Sequence, residues 1–282
     1  MNDLVNVIAQ TGASNPASGS LAPVLIHLVP SVGIIVVAVG AFLVWRLRSG
    51  ARLRWFWAGA AIWAASVISK YVWVALFNKP ILEGLYVAVP NSVYFVVGGI
   101  YIGLLTGVFE VGMTLAAALI WKQMTRDAAR GIAVSVGAGA FEALLLGIMT
   151  VAAVFAALAL GGQAREQMIA TTNQSAQVTH LWWLVAPVDR IIIILCHIAS
   201  RAIVLFGVAR GKWFLPFIAG FFILTAVDAV VGYVYLTGLG ESVSRWWVNL
   251  VLAPFALFSV FLARWCARHW PDAGSMPDAK EI

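Results

Sequence analysis

The chain has 282 residues, of which 62% are hydrophobic and 11% charged, and its mean hydropathy is +0.93. That composition excludes a soluble globular domain and leaves little chain outside a membrane bundle. A net charge of +6 is concentrated in the connections between apolar runs, where it orients a chain in a bilayer and leaves no nucleic-acid footprint.

Residues 1–21 form a polar tail that lacks the basic n-region and long apolar run of a cleavable signal. Seven apolar runs long enough to cross a membrane follow, at about 22–45, 55–77, 94–121, 131–160, 181–208, 213–237 and 246–264. The first contains Pro23 and Pro30, which predict a kink in its outer half. The stretch 78–93, with Pro80 and Pro90, reads as an interfacial or re-entrant piece, because an extra full span would invert everything after it. The polar stretch from Gly161 to His180 reads as an external loop, too short for a receptor domain. Residues 265–282 make a second tail, whose polar end is expected to be disordered.

Charge placement sets the expected orientation. Alternate connections hold Arg46, Arg48, Arg52 and Arg54, then Lys122, Arg126 and Arg130, then Arg210 and Lys212, then Arg264, Arg268 and Lys280. The opposite side has only Lys79, Arg165 and Arg245. The positive-inside rule then puts the N-terminus outside and the C-terminus in the cytoplasm. The expected fold is an all-α polytopic bundle of seven transmembrane helices over 22–264, in contact with membrane lipid and set in a bacterial cytoplasmic membrane.

The fifth run, 181–208, carries Asp189, Arg190, His197 and Arg201. An ionisable group at the bilayer centre costs roughly 2.5–3.5 kcal/mol even on the lenient scale. Four of them in one helix imply satisfaction by neighbouring helices or a watery cavity. Three further positions share their depth. Glu110 stands 12 residues before Lys122, Glu142 stands 12 after Arg130, and His197 stands 13 before Arg210. At about 1.5 Å per residue, each lies roughly 18–20 Å from the basic girdle. Asp228 lies somewhat farther out.

Facing agrees with depth. Gly99, Gly103 and Gly107 make a small-residue ridge that Glu110 and Thr114 continue, and such ridges pack against other helices. Ser135, Gly139 and Glu142 share a face of the fourth run, and Arg190, His197 and Arg201 share one on the fifth. These faces predict a polar cavity between the third, fourth, fifth and sixth spans. Two carboxylates and an imidazole, with Asp228 as an optional fourth group, suit a divalent metal that activates water. Without metal, a glutamate could serve as general base beside a His197 donor. The same residues also suit plain ion pairing, with Lys70, Arg190 and Arg201 balancing Glu110, Glu142, Asp189 and Asp228, for example Glu142 with Arg201. Proton- or solute-coupled transport is open too, although no internal repeat or matched pair of broken helices points to a carrier.

Other features say less. Cys196 and Cys266 sit in different helices outside any CxxC pair, so neither a disulfide nor a thiolate metal site follows. His27 reads as a helix-packing donor, His180 and His269 as membrane-edge residues, and Lys70 as a counter-ion or a snorkelling side chain. Phosphate-loop, HExxH and GxSxG signatures are missing.

Three segments in order resemble the YhfC family, a branch of the intramembrane-peptidase superfamily that includes CAAX proteases, PrsW and the gamma-secretase scaffold. GVFEVGMT resembles an FEExxR pattern led by Glu110, with Val111 and Thr114 in place of the second glutamate and the arginine. GAGAFEALLLG is similar to GHGxxEAxxxG, with Glu142 kept and Ala138 replacing the histidine. DRIIIILCHIASRAIV is close to ERxxxxxxH, with Asp189 for glutamate and with Arg190 and His197 kept. A fourth pattern, HxxxD, has Leu224 and Asp228. The resemblance implies hydrolysis of a peptide or membrane-protein substrate within the bilayer. It implies Glu110, Glu142 and His197 as catalytic residues, and these three with Asp228 as ligands of a divalent metal such as zinc. The four replacements remove expected ligands or orienting partners, so the alternative is a catalytically silent scaffold of the same fold, as the gamma-secretase scaffold is.

Overall fold

A computed structural model describes residues 22–271. The expected tail 1–21 and the end of the second tail lie outside these residues. Among the described residues every regular element is helical, as hydrocarbon requires of a spanning backbone that must satisfy its own hydrogen bonds. Seven helices are long and apolar enough to cross a membrane: α1 (Leu28–Ser49), α2 (Leu53–Ala88), α3 (Asn91–Ile120), α4 (Ala128–Leu160), α5 (Trp182–Ala209), α6 (Phe214–Thr237) and α7 (Trp246–Arg268). They match the seven apolar runs one for one.

α5 is the axis of the bundle. It is buried over 78% of its apolar window, against 17–33% for the other six. α1, α4, α6, α7 and the second half of α3 pack around it, while α2 leans on α4 and on the middle of α3. Large apolar side chains such as Val36, Leu47, Val87 and Leu257 remain exposed on the outer helices, which in a membrane protein is the lipid-facing surface.

Glycines set the closest crossings. A Cβ on Gly59 of α2 would lie 1.9 Å from the Val134 carbonyl oxygen of α4, and one on Gly103 of α3 would lie 2.2 Å from that of Thr225 in α6. Only hydrogen fits there, so these backbones touch directly, as small-residue interfaces in membranes allow. The basic connections meet at one end of the bundle. There the Trp45 indole donates to the Ala129 carbonyl, the Trp270 indole donates to that of Thr125, and the Arg54 and Arg130 guanidiniums lie over the Trp55 ring.

Three expectations change. The first span is broken and not kinked: a single turn, Ala22–Leu25, ends before His27, and α1 begins at Leu28 with Pro30 in its first turn, where proline is tolerated. No separate interfacial or re-entrant piece forms at 78–93. α2 continues through a π-turn at Val74–Asn78 to Ala88, and the chain breaks only at Val89 and Pro90, since a residue before proline avoids the helical region. With 36 residues, α2 is about 54 Å long, against about 30 Å of hydrocarbon, so part of it stands outside the core. The stretch after α4, read as a loop, holds a 17-residue helix, Gly162–Val178. Its alanine, glutamine, methionine and arginine are good helix formers. His27 ties it to the bundle, its Nε2 meeting Thr172 Oγ1 at 2.6 Å.

A buried ion-pair network as candidate active site

The sequence places Glu110, Glu142 and His197 at one depth, and the fold brings them together. One ligand atom from each lies within 4.8 Å of the others. Glu110 and His197 are each 3% exposed.

Glu110 owes its position to a fault in α3. Gly99, Gly103 and Gly107 all pack against α6, so the small-residue ridge faces that helix. A π-turn then runs from Gly107 to Val111, adding a residue to the turn, and such turns recur at functional sites. Within it Glu110 faces away from the ridge, toward α2 and α5. Oε1 accepts from Lys70 Nζ at 2.7 Å and Oε2 from Arg201 Nη2 at 2.9 Å. The Thr114 hydroxyl, expected on the ridge, instead donates to the Glu110 carbonyl at 2.8 Å.

Arg201 also reaches His197 Nδ1, 2.6 Å from Nη1. A guanidinium only donates, so Nδ1 is the acceptor and the ring proton sits on Nε2. Nε2 lies 3.1 Å from Glu142 Oε2. The Trp63 indole donates to the same oxygen at 3.1 Å, and Arg190 Nη1 donates to Glu142 Oε1 at 3.2 Å. Arg190 Nη2 also holds Asp189 Oδ2 at 2.7 Å. The pairing of Glu142 with Arg201 offered as an example is therefore corrected. Arg201 takes Glu110, the carboxylate it can share with His197 one turn earlier, and Arg190 takes Glu142.

Asp228 stands outside the Glu110–Glu142–His197 group. Its Oδ2 accepts a hydrogen bond from the Thr106 hydroxyl, and Thr106 Oγ1 accepts from Lys70 Nζ at 3.3 Å. Asp228 is thus linked to Glu110 through Lys70 and not as a direct fourth member. The cavity is also bounded differently from expectation. α2 supplies Trp63 and Lys70, while α6 supplies Asp228. Trp63 and Lys70 are seven residues apart, two helical turns on one face, and that spacing is the signal that could have placed α2 at the site.

The network is closed at one side and open at the other. Arg201 is 1% exposed, whereas the side chains of Lys70, Glu142, Arg190 and Asp189 are 19–23% exposed. The reachable member of the triad is Glu142.

Two carboxylates and one imidazole are a donor set that borderline divalent ions accept. Metal–ligand bonds of about 2.0–2.2 Å let two ligands lie about 4 Å apart, so the observed spread needs only a small closure. By residue type the group could bind a divalent metal, with His197 giving up either its Nε2 proton or its Arg201 contact to free a lone pair.

The YhfC intramembrane metalloprotease model matches residues 33–252. The chain belongs to the YhfC family. No curated protein and no solved structure gives a significant match. Family membership implies a divalent metal and a peptide or protein substrate, and the seven apolar helices make this YhfC protein an integral membrane protein. The match takes in Lys70, Glu110, Glu142, His197 and Asp228 together, so the network lies wholly inside the family region.

Proposed function

We propose that this YhfC protein is an intramembrane peptidase whose site is built from Glu110, Glu142 and His197. The observation that carries the reading is the convergence of these three side chains from three helices into one buried group, with one accessible edge. Under the wider grouping the resemblance suggests, it stands beside the CAAX proteases and PrsW. The basic end of the bundle faces the cytoplasm of a bacterial cell, the N-terminus is outside, and 22–264 is the membrane domain.

Glu110, Glu142 and His197 would hold the metal, zinc by ligand type, which supplies a polarised carbonyl and an acidified water. The protein's own groups divide the remaining work. Both Glu110 oxygens face cations, Lys70 and Arg201, so Glu110 has a holding role. Glu142 Oε2 accepts from the neutral Trp63 indole and lies 3.1 Å from His197 Nε2. It is the oxygen placed to take a proton from attacking water and return it to the leaving amine. Arg190 stands at the accessible edge and faces negative charge as it develops on the scissile carbonyl. Lys70 joins Asp228 and Thr106 to Glu110 and fixes the far wall.

The deciding experiment is metal content of detergent-purified protein, wild type beside His197→Ala, with cleavage of a membrane peptide library by wild type and Glu142→Gln. Near-stoichiometric metal that disappears in His197→Ala, with cleavage lost in Glu142→Gln, supports the peptidase. Absence of metal and of cleavage in the wild type leaves the scaffold. Substrate-dependent ion flux in liposomes would instead indicate a carrier.

A further inference from the structure

Between α1 and α7, the otherwise sheathed α5 is bared to the membrane along an apolar crevice of about 450 Å³. Gly40 and Val44 of α1 form one wall, Ala263 and Ala267 of α7 the other, and Ile191 and Leu195 of α5 the floor. Trp45 and Arg264 close it at the basic end. Among the described residues Arg264 makes no ion pair, and neither do Arg46, Arg48 and Arg268, which occupy the last turns of the same two helices.

Size and charge select the occupant. The α1 wall runs from Val37 to Trp45, about 12 Å of helix at 1.5 Å per residue. A single hydrocarbon chain is thin enough, and filling the crevice restores the dispersion contacts that bare apolar walls lack. Arg264 at the mouth, without an ion pair among the described residues, calls for an anion, and basic pockets between spanning helices are where anionic headgroups dock.

We infer that the crevice binds one acyl chain of an anionic phospholipid, with its headgroup on Arg264. The ligand would back α5 on a face about a quarter-turn from the ion-pair network, bracing the helix that carries Arg190, His197 and Arg201. This inference does not depend on the peptidase reading.

The test is native mass spectrometry of the full chain released from bilayers of equal phosphatidylglycerol and phosphatidylcholine. The expected result is one retained phosphatidylglycerol per chain. A Cβ on Gly40 meets nothing within 4 Å, so Gly40→Phe projects into open crevice and should abolish retention without loss of helical circular dichroism. Arg264→Gln, at an exposed position, removes the charge alone and should leave the two lipids retained equally. Added phosphatidylglycerol should raise the unfolding temperature of wild type and not of Gly40→Phe. Equal retention of both lipids by wild type, retention of a free fatty acid or of no lipid, or unchanged retention in Arg264→Gln overturns the proposal. If Gly40→Phe does not fold, the Arg264→Gln comparison decides by itself.

Discussion

Arg201 follows His197 by one turn of α5 and donates to its Nδ1 over 2.6 Å, so one side chain sets which ring nitrogen carries the proton. The same guanidinium holds Glu110, and at 1% exposure it has no water to replace either partner. A lysine offers a point charge and not a planar fork, and cannot serve both. Arg201→Met should therefore destabilise the bundle by about 3 kcal/mol, in the range for breaking a buried pair, read as a fall in thermal unfolding temperature. Arg201→Lys should fold better, but with the His197 ring proton redistributed in ¹⁵N spectra. An unchanged ring signal in Arg201→Lys would contradict the assignment of the proton to Nε2.

Glu110 and Glu142 should respond unequally to the same substitution. Lys70 and Arg201 both pair with Glu110, so Glu110→Gln strands the buried Arg201 and the partly exposed Lys70 and should lower stability by about 3–5 kcal/mol. Arg190 keeps Asp189 when Glu142 becomes glutamine, and the amide oxygen can still accept from Trp63 or His197. Glu142→Gln should thus retain folded yield while losing cleavage. Equal loss of folded protein in both variants would mean that the network acts as a single structural pair set.

Trp63 tests the accessible edge. Its indole N–H donates to Glu142 Oε2, and its ring meets Phe141 edge-on at 5.8 Å between centroids. Trp63→Phe keeps most of the packing and removes the donor. Turnover should fall by about tenfold, the scale of one hydrogen bond worth about 1.4 kcal/mol, with the unfolding temperature nearly unchanged. A large drop in stability would instead make Trp63 a packing residue alone.

His27 sits in the turn ahead of α1, and burial lowers its affinity for a proton below the usual histidine value of 6.5, against a smaller opposing effect of the Met168 carbonyl. A base held neutral in the folded state binds fewer protons than in the unfolded state near and below pH 6.5. Its contribution to stability is present above that pH and falls away as the pH drops toward the lowered value. The unfolding temperature should decline from pH 7.5 to 5.5, and His27→Gln should decline less. An identical slope in both proteins would remove His27 as the source.

Depth was legible in the sequence because helix rise is constant: counting from the basic connections brought Glu110, Glu142 and His197 to one level without knowledge of the fold. Rotation about α3 was not, because the π-turn at Gly107–Val111 breaks the 3.6 period on which facing rests. The glycine ridge was correctly read as an interface, but its partner is α6 and Glu110 leaves it. Lys70 was visible as a charge and not as a partner, since a lone lysine on an apolar run also fits snorkelling. The polar run after Gly161 lacked an apolar stripe, so its helix could be read only from propensity, which is a weak signal beside periodicity.

The order of the helices along the chain has a consequence for biogenesis. Lys70, Glu110 and Glu142 belong to α2, α3 and α4, while Arg190, His197 and Arg201, which pair with the two glutamates, all arrive on α5. Glu110 and Arg201 are 91 residues apart, roughly 5–18 s of synthesis at 5–20 residues per second. During that interval two carboxylates wait in the bilayer with only Lys70 beside them. When α5 emerges, it cannot rest alone in lipid without exposing its own charges. The earlier helices must therefore stay close to the insertion machinery as an open sheaf until α5 threads between them, and α6 then adds Asp228 as the last charged member of the network.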